Sequence, residues 1–343
     1  MGTSVITTKK IAVILGVVAV IAGGVFVTMV LQGGRSGKVS RSPERLVFAV
    51  AALLDSVPVL VAHHQGFFVQ QGLDVEIKFY SAGKDALAAV RRGEADFATV
   101  ADFPIMLAAL DGADIRVLAT ISKSGRENSI VARKDSGITV PAHIRGKVVG
   151  VIPGTTSEFF LDEFLVMHGI PRSDIVVVEL TPGETVNALL SKRVDAVSTW
   201  GQHAADLLKG LGDNSIRFFA QETYQMYWNI VASRNFVAGH RDTVQKVVTA
   251  LDQANSSIRN NADGAKKTAM EAFRVDPAQL REVWPDYEFD LALDHTLLLT
   301  LESQARWAMK QNRTTVREVP NFQEFIYADA LRRIKPAAVS VMR

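Results

Sequence analysis

Small polar residues gather in short turns that each follow an apolar, strand-like stretch of the chain. Such turns lie at Asp55-Ser56, Ser81-Ala82-Gly83, Asp102-Phe103-Pro104, Thr155-Thr156-Ser157-Glu158, Thr181-Pro182-Gly183 and Thr199-Trp200-Gly201. A Ser or Thr before a helix leaves free backbone N–H groups at the positive end of the helix dipole, where an anion can bind. The same residue types are also the favoured N-caps of ordinary helices, so each single turn is open to that simpler interpretation.

Aromatic and acidic side chains accompany these turns. Trp200 and Trp228 supply aromatic surface near the predicted strand ends, although Trp200 could equally pack into a core. Asp55, Asp102 and Glu158 could pair with a cationic group of a ligand, or they could cap helices. A site that combines amide-rich turns with carboxylates suits a zwitterion or a heteroaromatic amine as well as an anion.

Catalytic chemistry finds little support in the sequence. The chain contains no cysteine, which excludes thiol catalysis, disulfides and cysteine-based metal sites. His63 and His64 have no third ligand at metal spacing, and neither a Walker A sequence nor a G-x-S-x-G motif is present. Ser157 beside Glu158 lacks a His placed to activate it. We therefore predict no catalytic residue, no metal and no cofactor.

The elements that would position the turns alternate between strand and helix. Residues 46–51, 73–79 and 97–100 have the short apolar or alternating pattern of strands, while 57–68 and 85–92 have the pattern of helices. Strands that are separated by helices pair in parallel, so the sequence predicts an α/β fold. Beyond residue 235 the pattern is helical.

An internal repeat of about one hundred residues divides this α/β region. The turn at Ser81-Ala82-Gly83 is echoed by Thr181-Pro182-Gly183, and the segment 95–99 is echoed by 194–199. The triplet Ile-Val-Ala occurs at 130–132 and again at 230–232. Two copies predict two similar lobes joined by a two-strand hinge at these triplets: lobe I at 46–130 and 235–343, and lobe II at 131–234.

The N-terminal region differs in composition from the rest. Residues 11–31 form a 21-residue uncharged run that is long enough to cross a bilayer as a helix. We expect a membrane anchor there, preceded by a cytoplasmic N-terminus at 1–10 and followed by a flexible linker at 32–45. A cleaved signal peptide is the alternative, but its apolar core is usually shorter. In either case the body would lie outside the cytoplasm.

Residues 1–45 carry a net charge of +5, which leaves about −3 for the remainder, so no nucleic-acid partner is expected.

From about 46 to 275 the chain resembles the nitrate/sulfonate/taurine and thiamine-pyrimidine group of ABC-importer substrate-binding proteins. The resemblance rests on 66–76 (GFFVQQGLDVE), 81–83, 93–97, 112–115, 146–151, the Gly154-Thr155-Thr156-Ser157 turn and 194–200. It implies a type II periplasmic-binding-protein fold that closes around one small molecule, with an ABC permease and an ATPase as partners. It also implies ligand contacts at Asp55, Ser56, Ser81, Gly83, Asp102, Thr155, Thr156, Ser157, Glu158 and Trp200.

Two departures from the family pattern stand out. Members often follow the second-lobe Trp with Glu-Pro, whereas Gly201-Gln202-His203 stands here, and Glu158 replaces a common aromatic or His.

Three functions remain open at this point. The first is capture of a small polar or anionic solute for an ABC importer at the extracytoplasmic (periplasmic) face of the inner or plasma membrane. The second is a membrane-anchored ligand sensor, and the third is an enzyme of pyrimidine or thiamine precursor metabolism.

Overall fold

The computed structural model describes residues 42–220 and 223–341. Its first sheet has five strands in the order β2-β1-β3-β10-β4. They are β1 (Glu44–Ala51), β2 (Leu73–Tyr80), β3 (Phe97–Ala101), β4 (Ile115–Ser124) and β10 (Met226–Ser233). β1 pairs in parallel with β2 and β3, whereas β10 lies antiparallel between β3 and β4. We call this sheet and the helices packed on it lobe I.

The second sheet repeats this arrangement in the order β7-β6-β8-β5-β9. Its strands are β5 (Asn128–Arg133), β6 (Val148–Val151), β7 (Val176–Glu179), β8 (Ala196–Trp200) and β9 (Ser215–Phe218). β6 pairs in parallel with β7 and β8, and β5 lies antiparallel between β8 and β9. This sheet and its helices form lobe II.

Matching hydrogen bonds underline the likeness of the two lobes. Asp96 precedes β3 and accepts a hydrogen bond from the backbone N–H of Val47 at 2.7 Å. Asp195 precedes β8 and accepts one from the N–H of Val148 at 3.0 Å. In each lobe a carboxylate therefore ties the third parallel strand to the first. This is the structural basis of the repeat seen in the sequence.

The two Ile-Val-Ala triplets occupy equivalent places in the two sheets. Ala132 pairs with Ala196 in lobe II, and Ala232 pairs with Phe97 in lobe I. Each triplet is thus part of an antiparallel strand within a sheet, and the chain crosses between the lobes just before each of these strands. The first crossover is 125–127, and the described residues of the second are 219–220 and 223–225. Met226–Ser233 lies in the sheet of lobe I, upstream of the boundary expected at 234, because hydrogen bonding to β3 and β4 places it there.

Helices cover both sheets. In lobe I they are α1 (Val57–His64), α2 (Phe67–Gln70), α3 (Gly83–Arg91) and α4 (Asp102–Leu110). In lobe II they are α5 (Thr156–Met167), α6 (Thr185–Leu190) and α7 (Gly201–Leu211). The helix expected at 57–68 is interrupted because Gly66 adopts a left-handed conformation with φ of 71°, which begins a separate short helix.

The C-terminal helices return to lobe I. They are α8 (Arg234–Gly239), α9 (Arg241–Asn260), α10 (Ala262–Phe273), α11 (Pro277–Val283), α12 (His295–Lys310) and α13 (Asp329–Ile334). α9 packs on α1 and α2, and α12 packs on α4. Within the described ranges no helix combines the length and apolar character needed to cross a membrane. The anchor or signal segment predicted at 11–31 lies outside the described residues.

Gly150 in β6 offers a test of how tightly lobe II is packed. A Cβ atom at this position would lie 2.5 Å from Cδ1 of the buried Leu180. We predict that Gly150→Ala lowers the free energy of unfolding by about 1–3 kcal/mol, because an added methyl forces a well-packed core to shift. Urea denaturation followed by circular dichroism measures this change.

Gly183→Ala is the matched control in the same lobe. Gly183 is exposed, and no atom lies within 4 Å of its added Cβ. This variant should keep the unfolding free energy of the parent or raise it slightly, because alanine restricts the unfolded chain. Equal unfolding free energies for the two variants would contradict the packing described for β6.

Candidate functional site

A small cavity of about 20 Å³ lies between the lobes. Its walls come from lobe I, from lobe II and from the first crossover. The lining residues are Leu53, Ala82, Gly83, Lys84, Ala101, Pro104, Glu127, Thr155, Thr156, Trp200, Met226 and Trp228. A volume of this size holds about one water molecule. The lobes are therefore drawn together here, and a solute can enter only when they part.

Two helix N-termini, one from each lobe, contribute to this cavity. α3 begins at Gly83 after Ala82, and α5 begins at Thr156 after Thr155. In neither case does the N-cap side chain accept a hydrogen bond from the first turn. The first backbone N–H groups of a helix have no partner within the helix and carry the positive end of its dipole. The cavity thus receives positive potential from both lobes.

The threonine hydroxyls beside the cavity already have partners in the protein. Thr155 Oγ1 donates to the carbonyl oxygen of Ile152 at 2.7 Å, and Thr156 Oγ1 donates to Asn128 Oδ1 at 2.8 Å. These bonds fix the shape of the turn. The donors that the turn has left for a ligand are therefore backbone N–H groups, since both hydroxyl protons are engaged.

The two tryptophans of the cavity differ in their hydrogen bonding. Trp228 Nε1 donates to Ser56 Oγ at 3.0 Å, and Ser56 Oγ donates to Thr99 Oγ1 at 3.0 Å. Trp200 is buried, and its Nε1–H has no hydrogen-bond partner among the described residues. A buried donor without a partner costs free energy. Trp200 is consequently the donor best placed to gain from an incoming acceptor.

Gly83 is required by the close approach of Trp228 to the start of α3. A Cβ atom on Gly83 would lie 3.1 Å from Cη2 of Trp228 and 3.1 Å from Cα of Val100. Any larger residue would push the indole ring or the strand aside. The glycine that the sequence singled out therefore serves the packing of the cavity wall.

Asp102 is fully buried and anchors the second crossover. Its carboxylate accepts hydrogen bonds from Tyr224 Oη at 2.6 Å, from the N–H of Tyr227 at 3.0 Å, from Gln304 Nε2 at 3.1 Å and from the N–H of Phe103 at 2.6 Å. Burial raises its pKa to about 6, and these hydrogen bonds act in the opposite direction. Four donors surround the carboxylate, and Asp102 does not line the cavity.

Asp55 is likewise buried, but it is only partly satisfied. Its Oδ1 accepts a hydrogen bond from Ser122 Oγ at 3.0 Å, while its Oδ2 has no partner among the described residues. Burial raises the pKa of Asp55 well above its usual value, and the negative charge of Glu127 raises it further. The charge of Glu127 therefore opposes the ionisation of Asp55.

The remaining predicted residues support the turns from outside the cavity. Ser81 is exposed and donates to Asp85 Oδ2 at 3.3 Å. Ser157 Oγ accepts from the N–H of Ile152 at 3.3 Å. Glu158 Oε2 accepts from the N–H of Gly154 at 3.0 Å, and its other oxygen forms an ion pair with Arg313. Of the predicted set, the structure brings together at the cavity Gly83, Thr155, Thr156, Trp200 and Trp228.

Sequence reasoning missed two charged residues of the cavity wall. Lys84 follows Gly83, and its Nζ donates to the carbonyl oxygen of Pro153 in lobe II at 2.9 Å. Glu127 belongs to the first crossover and immediately precedes β5. The sequence could have indicated both as site residues, because Lys84 directly follows the turn Ser81-Ala82-Gly83 and Glu127 lies close to the first Ile-Val-Ala triplet.

A larger cavity of about 110 Å³ adjoins the first. The two cavities share Leu53 and Glu127. The further walls come from α7 and β9 of lobe II and from the C-terminal part of lobe I. The residues that line only the larger cavity are Ala52, Leu54, Ser124, Arg126, Gly201, Gln202, Ala205, Leu208, Arg217, Phe273, Val275, Gln279, Glu282, Val283, Asp286 and Tyr287. Among the described residues no cluster of three or more His, Cys, Asp or Glu side chains is arranged to hold a metal ion.

An aromatic contact joins the lobes beside the second crossover. Phe159 of α5 packs against Phe103, Trp307 and Tyr224, with ring centroids 5.3–6.0 Å apart. Trp307 Nε1 of α12 also donates to Asp162 Oδ2 of lobe II at 2.7 Å. These contacts and the Arg313–Glu158 ion pair hold α5 against lobe I.

Comparison with known proteins agrees with this architecture. A model of the family described as NMT1/THI5 like matches residues 54–265. A Brucella abortus protein named as a binding protein is 24% identical over 250 residues, which is 67% of this chain and 76% of the relative. The periplasmic aliphatic sulphonate-binding protein of Escherichia coli superimposes with a TM-score of 0.70 at 18% identity, covering 83% of this chain and 98% of that one.

The same fold also occurs in an enzyme. The desulfurization enzyme DSZB superimposes with a TM-score of 0.60 at 17% identity, covering 84% of this chain and 98% of that one. At such identities the likeness establishes the fold alone. The predicted α/β fold with the two lobes of a periplasmic binding protein is confirmed by these superpositions.

Tyr224 gives a test of the Asp102 anchor. We predict that Tyr224→Phe lowers the free energy of unfolding by about 2 kcal/mol at pH 7.5, because an ionised buried carboxylate loses a donor. At pH 5 Asp102 is largely neutral, since its pKa is about 6, and the loss should be smaller. Denaturant titrations at the two pH values measure the difference.

The free energy of unfolding of the wild-type protein should also depend on pH through Asp102. The folded pKa of Asp102 lies above its usual value of 3.8, so its contribution to stability is greatest below about pH 4 and is lost as the pH rises through about 6. Tyr227→Phe is the control, because its hydroxyl donates only to the neutral Thr296 Oγ1 at 2.7 Å. A Tyr224→Phe penalty that does not change with pH would refute the anchor.

Proposed function

This chain belongs to the NMT1/THI5-like family, and we propose that it is an extracytoplasmic solute-binding protein for an ABC importer. It captures a small polar or anionic molecule between its lobes, of the sulfonate, nitrate, taurine or aminopyrimidine class, and delivers it to a permease and its ATPase. The observation that carries this proposal is the meeting of two uncapped helix N-termini, from different lobes, at one cavity. A ligand that binds both termini favours the closed arrangement.

Trp200 adds a donor to this arrangement. Its Nε1–H is buried without a partner, so an acceptor oxygen on the solute would satisfy it. Lys84 reaches across the cleft to the carbonyl oxygen of Pro153, so the N-terminus of α3 is tied to the turn before α5. Closure around a solute would bring these groups together, and the closed shape would be what the permease recognises.

Binding is favoured over catalysis by the chemistry of the cavity walls. No histidine lines either cavity in the described part of the chain. Ser157 Oγ is engaged with the backbone of Ile152 and with Thr155 Oγ1 at 3.0 Å, so it is not free as a nucleophile. The absence of cysteine from the sequence removes the remaining common nucleophile of this kind.

We further propose that residues 11–31 hold the protein at the outer face of the inner or plasma membrane. The run is uncharged and long enough to span the hydrocarbon layer. Such an anchor would keep the receptor close to its permease, and it would also suit a sensor on the same fold. Mass determination of the mature N-terminus separates an anchor from a cleaved signal. A genomic neighbourhood with ATPase and permease genes favours import over sensing.

Ligand binding tests the proposed function directly. We expect at least one of propanesulfonate, taurine, nitrate or an aminopyrimidine to raise the melting temperature and to change the tryptophan fluorescence. Trp200→Phe keeps an aromatic ring but removes the N–H, so it should weaken binding about 10- to 100-fold, as expected for loss of a hydrogen bond to a charged group. Isothermal titration calorimetry measures the affinities.

Trp228→Phe is the matched control in the same cavity. The indole Nε1–H of Trp228 already donates to Ser56 Oγ, so its removal should lower stability more than affinity. A folded wild-type protein that binds no member of the panel would count against the proposed function. Equal losses of affinity in the two variants would contradict the proposal that the Trp200 Nε1–H binds the solute.

A further inference from the structure

Glu127 stands at the junction of the two cavities. It belongs to the first crossover, it is 3% exposed, and it lines both the small cavity and the larger one. Its Oε2 accepts a hydrogen bond from the hydroxyl of Tyr287. Any solute that extends from the helix N-termini into the larger cavity must pass beside this carboxylate.

The carboxylate lacks a cation in direct contact. Among the described residues none forms an ion pair with Glu127 or with Asp55 within 4.0 Å. Arg217 lines the same cavity, but its Nε donates to Ser129 Oγ at 2.9 Å and its guanidinium lies 4.5 Å from the centre of the Phe219 ring. Arg126 pairs with Asp286 at 3.4 Å. Arg217 therefore acts on Glu127 only through its charge, which lowers the pKa of that carboxyl, and no described cation contacts the carboxylate.

Asp55 is a second buried acid near Glu127. It is fully buried and its Oδ2 has no partner among the described residues. Burial raises the pKa of both acids, and the charge of Glu127 raises that of Asp55 further, whereas the Tyr287 hydroxyl and the charge of Arg217 act to lower the pKa of Glu127. A buried carboxylate without a cation in direct contact is costly, and a positively charged group of a bound solute beside Glu127 would offset that cost.

Gly201 makes room for the Glu127 side chain. A Cβ atom on Gly201 would lie 2.5 Å from Glu127 Oε1, and the residue has a φ of +38°. The backbone N–H of Gly201 also donates to the carbonyl oxygen of Glu127 at 3.1 Å. The departure from Glu-Pro after Trp200 therefore has a structural meaning: a side chain at 201 would displace the carboxylate at 127.

Building on the proposed function, we propose that Glu127 determines specificity by pairing with a positively charged nitrogen of the solute. The nitrogen lies in the larger cavity, where there is room for several atoms, and an anionic or oxygen-rich group lies at the N-termini of α3 and α5. The solute is then a flexible molecule with an ammonium or similar cation at one end and an acceptor group at the other.

Matched pairs of compounds test this selection. Propanesulfonate and 3-aminopropanesulfonate differ in one amine, as do butanoate and 4-aminobutanoate. We expect the wild-type protein to bind the amine-bearing member of at least one pair about 10- to 100-fold more tightly, as a charge-assisted hydrogen bond provides. Glu127→Gln should abolish this preference, because the amide keeps the shape and can still accept from Tyr287 but carries no charge.

Two further variants distinguish a specific loss of the amine preference from a general loss of folding or binding. Glu318→Gln changes an exposed carboxylate that lines neither cavity and should retain the preference for the amine. Gly201→Ala should reduce the preference by displacing the Glu127 carboxylate without altering its charge. Thermal unfolding confirms that each variant is folded before the affinities are compared.

The outcomes distinguish the two proposals. If the wild-type protein binds both members of each pair equally, or if Glu127→Gln keeps the preference, the selection by Glu127 is overturned while solute binding stands. If compounds without an amine bind and their amine-bearing partners do not, the inference is also overturned. If neither these compounds nor the earlier panel bind to the folded protein, the proposed function falls and the inference falls with it.

Discussion

A carboxylate that is removed from water must find hydrogen-bond donors or a cation within the protein, and this constraint shapes the region where the chain passes between its lobes. Asp102 meets it with four donors, two of which come from the second crossover and its strand. Glu127 of the first crossover and Asp55, which lies just before α1, do not meet it to the same degree. One crossover is consequently fixed to lobe I, while the other retains negative charge next to an open space.

The cleft therefore has two different ends. At one end the N-termini of α3 and α5 bring positive potential from both lobes, and Trp200 holds an unused donor. At the other end the Glu127 carboxylate brings negative potential to the larger cavity. A solute that carries charges of both signs would align along this gradient, whereas one that carries a single charge would gain at one end alone.

The sequence predicts the architecture well because the repeat is a property of spacing. Asp96 and Asp195, and the two Ile-Val-Ala triplets, occur in register and perform the same task in each lobe. The site is harder to read, because polar residue type does not reveal which way a side chain faces. Asp102 and Ser56 satisfied the pattern of ligand residues, yet their hydrogen bonds are made to the protein. Glu127 was not predicted as a site residue, because the pattern used to find such residues covers helix starts and not crossovers. Its position in the site becomes visible only from the packing of Gly201 against its side chain.

The exchange of strands between the sheets also sets an order of folding during synthesis. Every strand of the lobe II sheet is contained within residues 128–218, so that sheet is complete once the ribosome has passed β9. In lobe I, β4 pairs within its sheet only through β10, which ends at Ser233. Synthesis of the lobe I sheet therefore begins first, but that sheet is completed after the sheet of lobe II. Until β10 arrives, β4 presents unpaired backbone groups of the kind that recruit foreign strands. A chain that is exported before it folds avoids this interval, because both sheets can then form from the complete sequence.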